Sequence, residues 1–194
     1  MVLSWLGCGG KGEKSSLPDN ANPLLQAFDT PFGVPPFGQI QNDHFLPAFQ
    51  AAIGIHQEEI QKIVNNPDPP TFANTLQALD SSGELLDRVS SVYYNLRSSH
   101  TNDALQEMGT KVSSLLANHY TGISLNMPLF QRVKTVHAQM EQLKLDRESQ
   151  RLLEKVYQEF VRGGANLEGK QRERYREINE ELARLSTEFD DHVL

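Results

Sequence analysis

The sequence predicts an all-α protein, a multi-helix bundle that follows an extended, proline-rich N-terminal arm. From residue 42 onward, apolar residues recur at spacings of three and four, which is typical of amphipathic helices. Capping residues and breaks rich in proline or glycine separate one apolar stripe from the next. No segment shows the alternation of apolar and polar residues that indicates a β-strand, and no repeat of fixed length is present.

Length and charge narrow the class of protein. With 194 residues and 38% hydrophobic content, the chain can bury one core or two packed sub-bundles. The net charge of −7 argues against nucleic-acid binding, which needs a clustered basic face. The one basic cluster, residues 170–176, is interleaved with Glu173 and is typical of a solvated helix face. No apolar run approaches the ~20 residues of a membrane span. The single cysteine excludes an internal disulfide.

Residues 1–16 differ in kind from the rest of the chain. A short apolar stretch precedes Gly7 and Cys8, and small polar residues follow. This order is similar to a bacterial lipoprotein signal, which predicts a signal remnant and flexible tether with a lipid on Cys8 and a place at the cell envelope. The stretch lacks a basic residue and is short for such a signal, so two alternatives stay open for a cytoplasmic protein: a start site set wrongly, or a disordered tail with an unused thiol.

Residues 17–40 form the predicted arm. Five prolines and two glycines exclude a helix there. Leaving an apolar side chain in water forfeits about 1.5–3 kcal/mol, so we expect the arm to lie across a packed surface. Its apolar residues are Phe28, Phe32, Val34, Phe37 and Ile40.

Helices are predicted throughout residues 41–194. The proline-rich stretch 65–70 ends the first helix, residues 81–83 mark a kink in the second, and Gly163-Gly164 ends a later one. His56 and His119 fall at apolar positions of their helices. The expected caps are Asp43, Thr71, one of residues 101–103, Asn126 and Asp146.

The last segment, residues 167–194, has the clearest pattern. Its apolar residues step by 3, 4, 3 and 4, which predicts a seam that packs on an antiparallel or coiled-coil partner. Because no stop signal follows, we expect the chain to end within this helix and the seam to face a part of the protein outside the chain. The seam comprises Tyr175, Ile178, Leu182, Leu185 and Phe189.

Eight segments, in order, resemble the opening part of the M3 family of zinc metallopeptidases, and the resemblance covers about residues 22–194. No one segment is diagnostic, but their order over this length is specific. They are PFGVPPFGQI (31–40), DHFLPA (43–48), PTFANT (70–75), VYYNL (92–96), LFQRV (129–133), SQRLLE (149–154), EFVRGGA (159–165) and LSTEF (185–189).

The resemblance implies that residues 41–194 are the helical N-terminal domain of a larger enzyme, truncated within its last helix. Such enzymes resemble a clam of two helical lobes around a channel, and this domain would form a wall that screens substrates. The implied activity is zinc-dependent removal of dipeptides from the C-termini of short peptides. The partner would be the catalytic region of the same polypeptide.

The zinc signature of that family, H-E-x-x-H, is not found in this sequence. None of the six histidines is followed by Glu, so no catalytic or metal-binding residue of the family can be assigned here. We therefore expect the chain alone to bind no zinc and to be inactive.

Other candidate sites are weaker. His56 with Glu59, and His137 with Glu141, are spaced to share a helix face, but two ligands are too few for a structural zinc site. We interpret both pairs as contacts on the helix surface. Three serine clusters lie at 81–82, 98–99 and 113–114. The sequence indicates no general base beside them, so we expect them to have ordinary helix or loop roles.

Two hypotheses of different class follow from the sequence. The chain is either the channel-wall region of a peptidase or a free-standing, non-catalytic helical binding protein, anchored to lipid through Cys8. The seam distinguishes them, because a complete protein should bury it. A fragment should leave part of it open, with self-association or fraying as the result.

Overall fold

The computed structural model describes residues 22–193, and every regular element in this range is helical. The predicted all-α fold is confirmed. Cys8 and residues 17–21 of the predicted arm lie outside the described residues. The helices are α1 (Phe45–Val64), α2 (Ala78–Asp80), α3 (Glu84–Ser99), α4 (Asp103–Ser124), α5 (Met127–Ala138), α6 (Arg147–Arg162) and α7 (Gly169–Val193). Short 3-10 turns occupy Pro23–Leu25, Pro31–Gly33 and Asn42–His44, and a π-helix at Phe72–Gln77 leads into α2.

Side-chain caps begin the π-helix, α4, α5 and α6, as the sequence predicts, but the cap predicted for α1 is not found. Asp43 lies inside the turn Asn42–His44, two residues past the cap position, so its predicted role is wrong. Gln41 takes that position, and its N–H donates to Nδ1 of His44 across 3.1 Å. The confirmed caps, each accepting a backbone N–H at 2.7–3.1 Å, are Thr71, Asn102, Asn126 and Asp146.

The arm lies on the bundle at its two ends and leaves its middle exposed. At Pro31–Gly33 the N–H of Gly33 donates to the carbonyl of Thr30 across 3.0 Å, and Phe32 takes a φ of +61°. This tight turn lifts the middle of the arm off the bundle, so the expectation that all its apolar residues are covered is wrong there. The exposed residues are Phe32, Val34 and Phe37, and those packed on the bundle are Leu24, Leu25, Phe28 and Ile40.

A turn at residues 81–83 separates α2 from α3, at the place where the sequence predicts a kink. Gly83 has a φ of +81°, which glycine adopts without steric cost. A Cβ atom at Gly83 would lie 2.8 Å from Cε1 of His56, so α1 approaches this turn closely. The prediction of one kinked helix is wrong, because the turn separates two helices.

Two hydrophobic cores share α1. The first lies among the arm, α1, α3 and α4, where Phe49 and Tyr93 meet edge to face at 5.5 Å between ring centroids. The second lies among α1, the π-helix, α5 and α6, where Phe130 stacks on Phe160 at 5.7 Å. The bundle therefore consists of two packed halves joined along α1. Within the described range, no helix is long and apolar enough to cross a bilayer.

Candidate functional site

The predicted seam lies on the outer face of α7. Ile178, Leu182, Leu185 and Phe189 are 42, 55, 46 and 69% exposed, and Tyr175 is half-buried. Large apolar side chains at regular helical spacing therefore form an exposed stripe. A contiguous apolar stripe of this kind on a protein surface is typical of an interaction site.

The opposite face of α7 packs on α4. The Ser113 hydroxyl donates to the carbonyl of Ala183 across 3.0 Å, and the Asn179 side-chain amide donates to Oγ1 of Thr121 across 3.4 Å. Because residues early in α4 meet residues late in α7, the two helices are antiparallel. Thr187, on the same face, is buried. An antiparallel partner is thus present, but it contacts a polar face of α7 and leaves the seam open.

A chain of hydrogen bonds joins α1, α4 and the turn after α2. His56 and His119 are both buried, at 6% and 5% exposure. Nε2 of His119 lies 3.0 Å from Nδ1 of His56, and Nε2 of His56 lies 3.1 Å from Oγ of Ser82. Oγ of Ser82 lies 2.6 Å from the carbonyl oxygen of Leu79.

The direction of donation follows from the Leu79 end of this chain. A carbonyl oxygen only accepts, so Ser82 donates its one proton to Leu79 and accepts from Nε2 of His56. Nδ1 of His56 therefore accepts from the Nε2–H of His119. Both rings are neutral in this arrangement. Ser82 faces a donor and not a base, so it is not an activated nucleophile.

Burial keeps both imidazoles neutral. Desolvation, together with the smaller effect of the neighbouring His56, lowers the pKa of His119 to about 4. Desolvation also lowers the pKa of His56, against the opposing charges of Glu59 and Asp87. Glu59 accepts the backbone N–H of Gly83 across 2.8 Å. The interpretation of His56 and Glu59 as a surface pair is therefore wrong, since His56 is buried and Glu59 bonds to the turn.

Two cavities of about 320 Å³ lie beside the histidine pair, one lined by His56 and the other by His119. This volume is at the lower end of the range for small-molecule sites. The first cavity has apolar walls from α4 and α6 and carboxylates from Asp80, Asp87 and Glu159. The second is lined by amide side chains and apolar residues in similar number, and its lining contains no charged carboxylate or ammonium group.

The described residues do not fit a zinc site. Within 22–193, no group of three or more His, Cys, Asp or Glu side chains lies close enough to hold a metal ion. His56 and His119 bond to each other through facing nitrogens. His137 stacks on Tyr157 with 4.0 Å between ring centroids. A protein zinc site needs at least three ligands, so no step of zinc chemistry can be assigned to these side chains.

The sequence pattern predicts that His56 and His119 lie on apolar stripes, but it does not predict their contact. The two residues are 63 positions apart, and neither sits in a recognisable motif. Ser82 was predicted to have an ordinary loop role, yet it continues the hydrogen-bonded chain. The one available signal was a polar aromatic residue at a core position in each of two helices, which indicates a buried partner.

Comparison with characterised proteins identifies the relatives of this chain. Dipeptidyl carboxypeptidase of Salmonella typhimurium is 41% identical over 175 residues, covering 90% of this chain and 26% of that protein. The Escherichia coli protein of the same name is 41% identical over 173 residues, covering 89% of the chain and 25% of that protein. The chain is homologous to these peptidases.

Oligopeptidase A of Escherichia coli is a more distant relative of this chain. It is 26% identical over 173 residues, covering 89% of this chain and 25% of that protein. The resemblance to the M3 metallopeptidases is confirmed. The chain spans about a quarter of the length of the curated relatives it matches. No protein-family model matches it.

Proposed function

We propose that this chain is the wall-forming, substrate-gating region of a longer zinc metallopeptidase that removes dipeptides from the C-termini of oligopeptides. The observation that carries the proposal is the 41% identity to about a quarter of dipeptidyl carboxypeptidase. In this role the chain supplies shape and no catalytic residue. Zinc and its ligands belong to the remainder of the polypeptide, and the isolated chain is inactive.

The exposed seam supports this role. α7 already has one neighbour, α4, on the face that contains Asn179 and Thr187. The stripe through Leu182 and Phe189 is free to pack against another element, and burying it would recover about 25 cal/mol for each Å² of apolar surface. In a polypeptide about four times as long, the catalytic region is the natural cover for this stripe.

The test is to isolate the native polypeptide with an antibody raised to this chain. We expect a mass several times 21.8 kDa, one zinc per chain and release of C-terminal dipeptides that a chelator abolishes. A native product near 21.8 kDa without this activity would contradict the proposal and favour the free-standing binding protein. One zinc bound by the 194-residue chain alone would contradict the assignment of the metal to the remainder.

We also propose that Cys8 takes a lipid and holds the protein at the bacterial envelope. The support is sequence alone, namely the small residue before Cys8 and the flexible polar stretch after it. Labelling with a radioactive fatty acid tests this, with Cys8→Ser as the control. Equal labelling of both forms, or recovery of the unlabelled native protein in the cytoplasm, would contradict it.

A further inference from the structure

A trough lined by side-chain amides runs along α1 beside α4. The cavity next to His119, of about 320 Å³, and a surface depression of about 580 Å³ on α1 have Gln57 and Gln61 in common in their linings. The charged residues of the depression, Glu58 and Lys62, are one of each sign. The other polar residues of the trough are Asn65, Asn118 and Asn126.

The polar groups of this trough have unused hydrogen-bonding capacity. The side chains of Gln57, Gln61 and Asn118 are exposed and make no hydrogen bond to another residue of the described range. Each amide offers two donors and one acceptor oxygen. His119 is nearly fully buried, and because its Nε2–H points to His56, its Nδ1 is an acceptor without a partner in residues 22–193.

Two glycines keep the trough open. Gly54 of α1 and Gly122 of α4 lie in helix interiors, where glycine costs about 1 kcal/mol relative to alanine. A Cβ atom at either position would meet no atom within 4 Å, so packing gives no reason for glycine there. Both glycines line the trough. Their absent side chains allow another backbone to approach the helices closely.

We propose that this trough binds the main chain of an extended peptide, with little dependence on the peptide's side chains. A peptide unit presents one N–H and one C=O, and a Gln or Asn amide can pair with both. Nδ1 of His119 accepts one further N–H. The balanced charge of the lining gives a charged ligand no advantage. The inference rests on the proposed function, because it locates the place where the channel wall holds its peptide. Its test needs no peptidase activity.

The experiment is an NMR titration of the full 194-residue chain with a blocked, uncharged oligoalanine peptide. We expect saturable shifts at the side-chain amides of Gln57, Gln61 and Asn118 and at the ring of His119. An analogue methylated at every peptide nitrogen has the same side chains but no N–H donors, and we expect it to leave these signals unchanged. Equal binding of both peptides, shifts centred on the cavity beside His56, or no saturable shift would overturn the proposal.

Three variants add a second readout. Gln61→Leu and Asn118→Leu remove trough amides, and each should weaken binding about fivefold, the effect of one lost hydrogen bond. Gln158→Leu is the matched control, since Gln158 is exposed on α6 and lines neither part of the trough. Unchanged affinity in both trough variants, with circular dichroism showing intact folds, would overturn the proposal. Failure here leaves the peptidase assignment standing, because the blocked peptide has no free C-terminus to cleave.

Discussion

His119 donates its Nε2–H to Nδ1 of His56 across 3.0 Å, at the level of α1 where one hydrophobic core gives way to the other. Ala52, one turn before His56, belongs to the first core, and Ile60, one turn after it, belongs to the second. The pair is therefore a polar joint between two apolar halves. It is tolerated because three of the four ring nitrogens are paired, namely both of His56 and Nε2 of His119, whereas an orphaned buried group would cost about 1–3 kcal/mol.

Stability should fall as the pH decreases from 6.5 towards 4. The pKa of His119 is lowered from 6.5 to about 4 by desolvation and by His56, so in this window the unfolded chain binds more protons than the folded chain. Acid therefore favours unfolding, and the stability present above pH 6.5 is lost on the way to pH 4. We expect a loss of about 2 kcal/mol, measured by urea unfolding at about pH 7 and about pH 4.5.

Two variants identify the titrating group. His119→Gln retains a donor towards His56 but cannot titrate, so its stability should depend less on pH over the same range. His137→Gln is the control, because His137 stacks on Tyr157 and lies outside the hydrogen-bonded chain. An equal pH dependence in the wild type and in His119→Gln would show that His119 does not carry the effect.

Gly83→Ala should destabilise the fold by more than 1 kcal/mol. The new Cβ would lie 2.8 Å from the His56 ring, and the φ of +81° is strained for any residue with a side chain. Gly54→Ala is the matched control, since its Cβ meets no atom within 4 Å and the residue lies within α1. That control should stabilise the fold by up to about 1 kcal/mol. Equal free energies of unfolding for the two variants would refute the close approach at Gly83.

Local signals were sufficient to predict the helices but not their contacts. Thr71 and Asn126 cap helices through bonds to residues three positions away, so short-range sequence carries them. Asp43 satisfied the same rule yet lies inside a 3-10 turn, because the ring of His44 bonds the amide of Gln41 instead. The His56–His119 contact depends on how α1 crosses α4, and no local pattern encodes that crossing. The fold class was thus predictable, whereas the polar joint was not.

Arg97→Ala should cost about 1–3 kcal/mol and loosen the end of α7. Arg97 is buried on α3 and forms an ion pair with Asp191, whose side chain is 26% exposed. Removing one partner of a largely buried pair leaves the other charge partly desolvated. Urea unfolding and amide hydrogen exchange near Asp191 would measure the two effects.

The exposed pair Arg151–Glu154 is the control for that experiment. The Arg151 side chain is 63% exposed, and such pairs contribute about 0–1 kcal/mol. Arg151→Ala should therefore leave both readouts nearly unchanged. Comparable losses of unfolding free energy in Arg97→Ala and Arg151→Ala would mean that the ion pair between α3 and α7 contributes no more than an exposed surface pair.

The seam should matter for association and not for the stability of the chain itself. Leu182→Gln together with Leu185→Gln replaces exposed apolar groups, so the free energy of unfolding should change by less than about 0.5 kcal/mol per site. Leu153→Ala, at a fully buried site, should cost about 2–5 kcal/mol and shows that the assay detects core loss.

Sedimentation provides the second readout for the seam. If the stripe on α7 is an interaction surface, the wild-type chain should self-associate through it at high concentration, and the double variant should remain monomeric. A large destabilisation of the double variant would instead place Leu182 and Leu185 inside the folded chain. Contact between copies would bury the exposed apolar stripe and relieve its cost of solvation. A wild-type chain that stays monomeric at high concentration would therefore contradict the prediction that the seam mediates self-association.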